Sequence, residues 1–361
     1  MITTFFELTF LFFSSLTTTF VMRKVAKKIG LVDKPNNRKT HQGDIPLVGG
    51  ISIGISLAYF FLNNLDILPN TTLYVVCLTL LIAVGALDDK FDISFKVRFA
   101  FQALISIAMM ILGELKLQTI GDIFGIGEII TFGWFGYVVT ILAVVGAINA
   151  YNMVDGIDGL LGGLSVVTFG ALSILMVCDN QYDIAYVCLV LVVATIPYIL
   201  LNLGVLGRRY KVFMGDAGSM FIGFSVIWLL LLSSQKGSHP PLQPVTALWL
   251  IAVPLMDMAA IMIRRIRRGD SPFKPDRDHL HHIMQRLGFN SHQTLLAICT
   301  IASLFAGVGI YSESANIPEY IMFYVFLACF AVYVTFLNNI WRITTALRRW
   351  KVKRNRSSNS N

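Results

Sequence analysis

Four short strings in this chain concentrate residues able to do chemistry. The first is Asp88-Asp89-Lys90-Phe91-Asp92, directly after an apolar run. Carboxylates near a helix C-terminus oppose the macrodipole, and adjacent ones repel each other. A divalent metal or a bound cation would balance them. The second runs from Asn149 to Leu160. Asn149, Asn152, Asp155 and Asp158 recur every third position. On a helix, residues three apart share a face, so these four line one stripe. Gly156 and Gly159 leave the backbone beside the acids open to a ligand.

The third string is Phe213-Met-Gly-Asp216-Ala-Gly-Ser219, at the start of another apolar run. Asp216 is either a helix N-cap or a carboxylate that holds a metal against phosphate at a helix N-terminus. The fourth, Pro275-Asp-Arg-Asp-His-Leu-His-His282, follows Lys274 in a long loop. Zinc is one reading, but the spacing lacks a clear four-ligand set. An anion-binding loop fits better, because Arg277 can make bidentate phosphate contacts and His279, His281 and His282 can donate hydrogen bonds.

The elements that must position these strings are membrane helices. Of the 361 residues, 55% are hydrophobic and 14% charged, and the mean hydropathy is +0.68. A soluble domain has about 25% charged residues, so a disordered chain, a soluble nucleic-acid-binding domain and a secreted disulfide scaffold are excluded. The five cysteines lie in apolar runs without CxxC spacing and read as small buried hydrophobes. The first 22 residues lack a basic start and a small-residue cleavage site, so they are expected to be a retained anchor.

Apolar runs between polar breaks predict about eleven spans, near 3–22, 47–62, 71–87, 98–114, 134–151, 160–178, 184–203, 217–235, 245–264, 293–311 and 320–340. The expected architecture is all-α and polytopic. A single transmembrane domain covers residues 1–340, and a basic tail follows at 341–361. Alternating the loops, and counting residues at the helix ends with their adjacent loop, puts 27 of the 29 Lys and Arg on the side that holds 23–46, 88–97, 152–159, 204–216, 265–292 and the tail; only Lys116 and Lys236 fall opposite. Positive loops stay in the cytoplasm, so the N-terminus is expected outside and the C-terminus inside. The inner face then carries 27 basic against 12 acidic residues, or +15, and the outer face 2 against 9, or −7. The net charge of +8 is thus a membrane asymmetry and implies no nucleic-acid partner. The tail serves topology and contact with anionic membrane lipid.

All four strings fall on the cytoplasmic side by an argument that did not use them. One site is therefore expected there, with acids for a divalent metal and bases for phosphate. Its substrate would be a phosphorylated cytosolic molecule, with a reaction partner in the lipid.

Together with the segment His41-Gln-Gly43 to Pro46-Leu-Val-Gly-Gly50, these strings resemble the polyprenyl-phosphate N-acetylhexosamine-1-phosphate transferases, in the same order. The loop variant Pro-Asp-Arg-x-His-x-His-His is most similar to the bacterial branch acting on undecaprenyl phosphate with GlcNAc-1-phosphate. The peptidoglycan-precursor branch carries three consecutive His. The resemblance implies transfer of GlcNAc-1-phosphate from UDP-GlcNAc to undecaprenyl phosphate, releasing UMP, with Mg²⁺ required and Mn²⁺ commonly substituting. It places the chain in a Gram-negative inner membrane, N-terminus periplasmic and active site cytoplasmic, at the start of O-antigen or enterobacterial common antigen synthesis. A homodimer is compatible with it. Another UDP-N-acetylhexosamine donor is the nearest alternative, and a transporter of a phosphorylated sugar or lipid is the rival from another class. A transporter calls for mid-membrane polar residues and inverted repeats, and the sequence has no apparent repeat.

By matched motif positions, Asp216 and Asn152 are expected as metal ligands. Asp88 and Asp89 would place the lipid phosphate or metal, or take a proton. Asp155 and Asp158 match positions of nucleotide binding or catalysis. Arg277, His279, His281 and His282 would grip the sugar diphosphate, with Asn149 and Asn202 as further substrate contacts, Asn202 toward uridine.

Overall fold

The apolar runs of the sequence are helical, because a backbone in hydrocarbon must satisfy its own hydrogen bonds. A computed structural model describes residues 2–34, 43–237, 240–272 and 279–358, with side chains from Thr3 to Asn339. In chain order the elements are α1 (Ile2–Ile29), β1 (Val32–Asp33), β2 (Ile45–Pro46), α2 (Gly49–Leu62), α3 (Thr71–Phe91), α4 (Phe95–Leu112), α5 (Phe135–Val154), α6 (Leu160–Cys178) and α7 (Tyr182–Asn202). They continue with α8 (Gly215–Gln235), α9 (Pro244–Leu250), α10 (Ala252–Arg267), α11 (Leu280–Arg286), α12 (Ser291–Ser314) and α13 (Glu319–Ser358). The only strands among the described residues, β1 and β2, pair antiparallel over two residues each. The protein is a mostly helical, polytopic membrane protein.

Nine of the described helices are long and apolar enough to span a bilayer. The other two expected spans differ in a physical way. The helix in the 47–62 run has 14 residues, a length of about 21 Å at 1.5 Å per residue, short of a ~30 Å hydrocarbon core. The run at 245–264 is two helices, α9 and α10, bent by 83° at Ile251. Pro254 explains the break: it has no N–H for the carbonyl four residues back, and its ring clashes with that carbonyl. The orphaned Leu250 carbonyl is satisfied from α6, where the Thr168 hydroxyl donates to it at 3.1 Å. Thr168 is itself held by the Tyr151 hydroxyl at 2.7 Å.

Helix α8 is the axis of the bundle and is buried along its whole length. Small residues let its neighbours approach it closely, as is usual in membrane interiors. A Cβ on Gly50 of α2 would fall 2.1 Å from the Gly218 nitrogen, one on Gly85 of α3 2.4 Å from Ala217, and one on Gly223 2.6 Å from Ile148 of α5. The Tyr74 hydroxyl hydrogen-bonds Ser225 at 2.6 Å, and its ring packs with Phe224 and Trp228. Of the five cysteines, Cys77 and Cys188 are buried, Cys299 and Cys329 half-buried, and Cys178 exposed at the end of α6.

Candidate active site

The site forms where the last turn of α3, the end of α5 and the start of α8 meet. Segment 45–50 sets the entry of α8. Phe213 N–H donates to the Pro46 carbonyl at 2.9 Å, Gly49 N–H to the Phe213 carbonyl at 2.9 Å, and Gly50 N–H to the Met214 carbonyl at 3.0 Å. His41 and Gln42 of this motif lie outside the described residues. Gly215 has φ +76°, and a Cβ there would meet the Asp89 carboxylate at 2.4 Å. Only glycine permits that turn and that approach together.

Asp89, from α3, caps α8. Its carboxylate accepts the Asp216 N–H at 2.8 Å and the Ala217 N–H at 3.3 Å. These are orphan donors of a helix start, where negative charge is favourable. The capping role considered for Asp216 thus belongs to Asp89. The Asp216 side chain is left to the cleft: Asn152 of α5 donates its amide N–H to it at 2.5 Å and to the Ser219 hydroxyl at 2.8 Å. Asp88 is buried. Its carboxylate pairs with Arg98 of α4 at 2.5 Å, and Arg98 also lies 3.6 Å from Asp216.

Asp155 and Asp158 lie in the turn that leaves α5. Asp155 is pushed up to about 7, first by the crowding of protein around it and then by the charges of Asp216, Asp89 and Asp158. The residue still has exposed surface, so the like-charge part of that rise is what persists in an open cleft. Asp158 pairs with Lys211 at 2.5 Å. Five acids, Asp88, Asp89, Asp155, Asp158 and Asp216, thus share the cleft with two paired cations, Arg98 and Lys211, a surplus of three negative charges.

The histidine loop closes one side. His281 is buried, and its ring lies against the Asp155–Asp158 turn: a Cβ on Gly156 would sit 2.0 Å from its Nε2. That buried nitrogen has no hydrogen-bond partner. Burial, then the neighbouring His282 and His279, lowers His281 to about 3, so the ring is neutral at pH 7. His279 stacks parallel to His281 at 5.7 Å, and His282 follows at 4.2 Å. Gly156→Ala is therefore expected to drive His281 out of the cleft and lower turnover by more than about tenfold, with less effect on thermal stability. Turnover and melting of the purified variant measure this, and unchanged turnover would contradict the packing.

Two expected substrate contacts face inward. Asn202 is buried behind the turn; its amide oxygen accepts the Gly159 N–H at 2.5 Å and its amide nitrogen donates to the Val212 carbonyl at 2.8 Å. It clamps the Asp155–Gly159 turn to the approach of α8, with both ends used. Asn149 donates to Gln102 of α4 at 2.9 Å and to the Val145 carbonyl at 2.7 Å, which ties α5 to α4. Arg277, with Lys274, Asp276 and Asp278, lies outside the described residues.

Three site residues escaped the sequence reading. In the sequence Arg98 and Lys211 read only as positive-inside charge, and Asp257 sits inside an apolar run. An arginine nine residues past Asp89, at the end of an apolar helix, was the available signal for the first. Asp257 of α10 is 1% exposed. It accepts from His279 Nδ1 at 2.8 Å, the Leu280 N–H at 3.1 Å and the Tyr333 hydroxyl at 2.7 Å.

The cleft offers hard carboxylate oxygens, with negative charge in excess, which suits a small divalent cation. Among the described residues no three His, Cys, Asp or Glu side chains close on one point.

Comparison with known proteins covers the same residues. Residues 71–234, which include Asp88 through Asp216, match the family model described as glycosyl transferase family 4. The chain is 52% identical over 353 residues to the undecaprenyl-phosphate alpha-N-acetylglucosaminyl 1-phosphate transferase of Yersinia pestis, covering 98% of this chain and 96% of the relative. The Escherichia coli K12 protein of the same name is 49% identical, covering 95% and 94%. The Haemophilus influenzae one is 49% identical, covering 94% and 96%. With identity near one half along almost the whole of each chain, this protein belongs to the family of the undecaprenyl-phosphate alpha-N-acetylglucosaminyl 1-phosphate transferases.

Proposed function

We propose that the protein transfers GlcNAc-1-phosphate from UDP-GlcNAc to undecaprenyl phosphate, giving undecaprenyl-diphospho-GlcNAc and UMP. The observation that carries this reading is the acid cleft capped onto the start of α8, in a chain about half identical to enzymes bearing that name. An oxygen of the lipid phosphate attacks the β-phosphorus of the UDP-sugar. The bond from that phosphorus to the bridging oxygen breaks, and UMP leaves with the electron pair. The nucleophile is already an anion at pH 7, so alignment rather than a strong base supplies the acceleration.

Mg²⁺, for which Mn²⁺ substitutes, would be held by Asp216 with Asn152 and one of Asp88 or Asp89; when bound it neutralises the diphosphate and favours departure of UMP. Asp89 fixes the start of α8, and with it the position of Asp216. Arg98 and Lys211 supply the fixed positive charge that two anionic substrates require. The histidine loop, with Arg277, grips the sugar diphosphate. Asn152 would have to turn its amide oxygen toward the ion, a rotation open to an amide whose nitrogen now faces Asp216.

The chain is read with eleven membrane crossings in the bacterial inner membrane, the short α2 and the bent α9–α10 pair counted among them. The N-terminus is periplasmic, and the C-terminus and the cleft are cytoplasmic. The product would feed O-antigen or enterobacterial common antigen synthesis. The test is incubation of purified protein with undecaprenyl phosphate, Mg²⁺ and, separately, UDP-GlcNAc, UDP-GalNAc or UDP-MurNAc-pentapeptide, with the lipid product weighed by mass spectrometry. GlcNAc-1-phosphate on the lipid is expected, and another preferred donor would replace this assignment.

Metal binding has a pH signature. Asp155 is raised above its unfolded value to about 7. Without metal, the stability this group contributes is complete below the ordinary aspartate range and is lost as pH rises through 7. Metal needs the carboxylates ionised. Mg²⁺ is therefore expected to raise the melting temperature in detergent more at pH 8 than at pH 6. Equal shifts at both would contradict metal binding by this cluster.

A further inference from the structure

The buried carboxylate of Asp257 lies on α10 outside the acid cleft, and no motif of the sequence contains it. It has three donors: Oδ1 accepts the Leu280 N–H and the Tyr333 hydroxyl, and Oδ2 faces His279 Nδ1. A carboxylate only accepts, so Nδ1 carries a proton toward Asp257 and Nε2 is turned to the opposite side of the ring. The Leu280 N–H is also an orphan donor at the start of α11, so the same carboxylate fixes the backbone on which His281 is carried. Tyr333 brings α13 into the arrangement. His279 then stacks on His281, which lies against Gly156 of the acid turn. A continuous line of contacts runs from α13 to the cleft.

We propose that Asp257 is a positioning residue for the transfer reaction, holding the tautomer and orientation of His279 and, with Tyr333, locking the histidine loop against α10 and α13. This rests on the assignment of that loop to the UDP-sugar made above. The role calls for a residue that accepts at both oxygens while excluded from water, which aspartate alone satisfies here.

Asp257→Asn separates positioning from folding. Its Oδ1 can keep both the Leu280 and the Tyr333 bonds. Its amide nitrogen then donates toward His279 Nδ1, which must give up its proton, and the tautomer reverses. The KM for UDP-GlcNAc is expected to rise by about 10- to 100-fold, the range for loss of a group that orients a histidine. The KM for undecaprenyl phosphate should stay within about twofold, because no contact of Asp257 reaches the acid cleft directly.

The decisive experiment is a double-mutant cycle on the purified full-length enzyme with Asp257→Asn, His279→Gln and both together. If Asp257 acts through His279, the double variant matches His279→Gln alone. Tyr333→Phe, which removes only one bond to Oδ1, is expected to raise the same KM by a few-fold and also to add nothing to His279→Gln. It carries the test if Asp257→Asn does not reach the membrane. Full additivity, or an unchanged KM in Asp257→Asn or Tyr333→Phe beside a raised KM in His279→Gln, would overturn the positioning role. An unchanged KM in His279→Gln itself would remove the loop from UDP-sugar binding, and the proposal with it.

Discussion

Asp216→Asn is expected to keep the protein folded in the membrane while lowering UMP release by about 100- to 1,000-fold, the usual cost of removing one preorganised charged group at a reacting phosphoryl centre. Asparagine matches aspartate in shape. The amide N–H of Asn152, 2.5 Å away, can still be accepted by the retained oxygen, and the Asp216 backbone bond to Asp89 does not involve the side chain. What disappears is one negative charge, the one Arg98 approaches at 3.6 Å. The surplus in the cleft falls from three to two. Near-normal release of UMP by the purified variant would remove Asp216 from the chemistry.

Asp89→Ala should lose as much activity and lose stability as well. Both carboxylate oxygens accept backbone N–H groups of α8. Truncation leaves two orphan donors at the start of the most buried helix of the bundle. Loss of an N-cap costs roughly 1 kcal/mol, within a range of about 0.5–2 kcal/mol. The melting temperature should therefore fall, where Asp216→Asn leaves it almost unchanged. The two variants thus separate a residue that holds the helix from one that the helix presents. Equal melting temperatures for Asp89→Ala and the parent would contradict the capping role.

Much of this site was legible before any geometry was known. Acids at the ends of apolar runs are costly unless used, and alternation of basic loops placed all four strings on one side. The structure gathers Asp88, Asp89, Asn152, Asp155, Asp158 and Asp216 around one cleft, with His281 against it and His279 stacked behind His281. The apolar runs located the helices, because hydrocarbon forces the backbone to satisfy itself.

The rest depended on distance. Arg98 looks like any other positive-inside residue until α3, α4 and α8 are packed together. Asp257 is a single acid in an apolar stretch, and only the fold shows His279 and Tyr333 converging on it. Asn149 and Asn202 share the polarity of the other candidates, and only the fold shows their amides turned to Gln102 and to backbone groups of Gly159 and Val212. The bend between α9 and α10 needed both Pro254 and a hydroxyl from another helix to receive the freed carbonyl. Composition and periodicity do not encode such pairs.

The central claim is that the cleft moves a sugar with its phosphate, not a sugar alone. UDP-GlcNAc labelled at the β-phosphorus and incubated with the purified protein, Mg²⁺ and undecaprenyl phosphate tests it directly. The label is predicted to pass into the lipid, with unlabelled UMP released in equal amount and both products formed at least about 100-fold more slowly by Asp216→Asn. Label remaining in water-soluble UDP, or lipid labelling by Asp216→Asn at nearly the parent rate, would contradict the account.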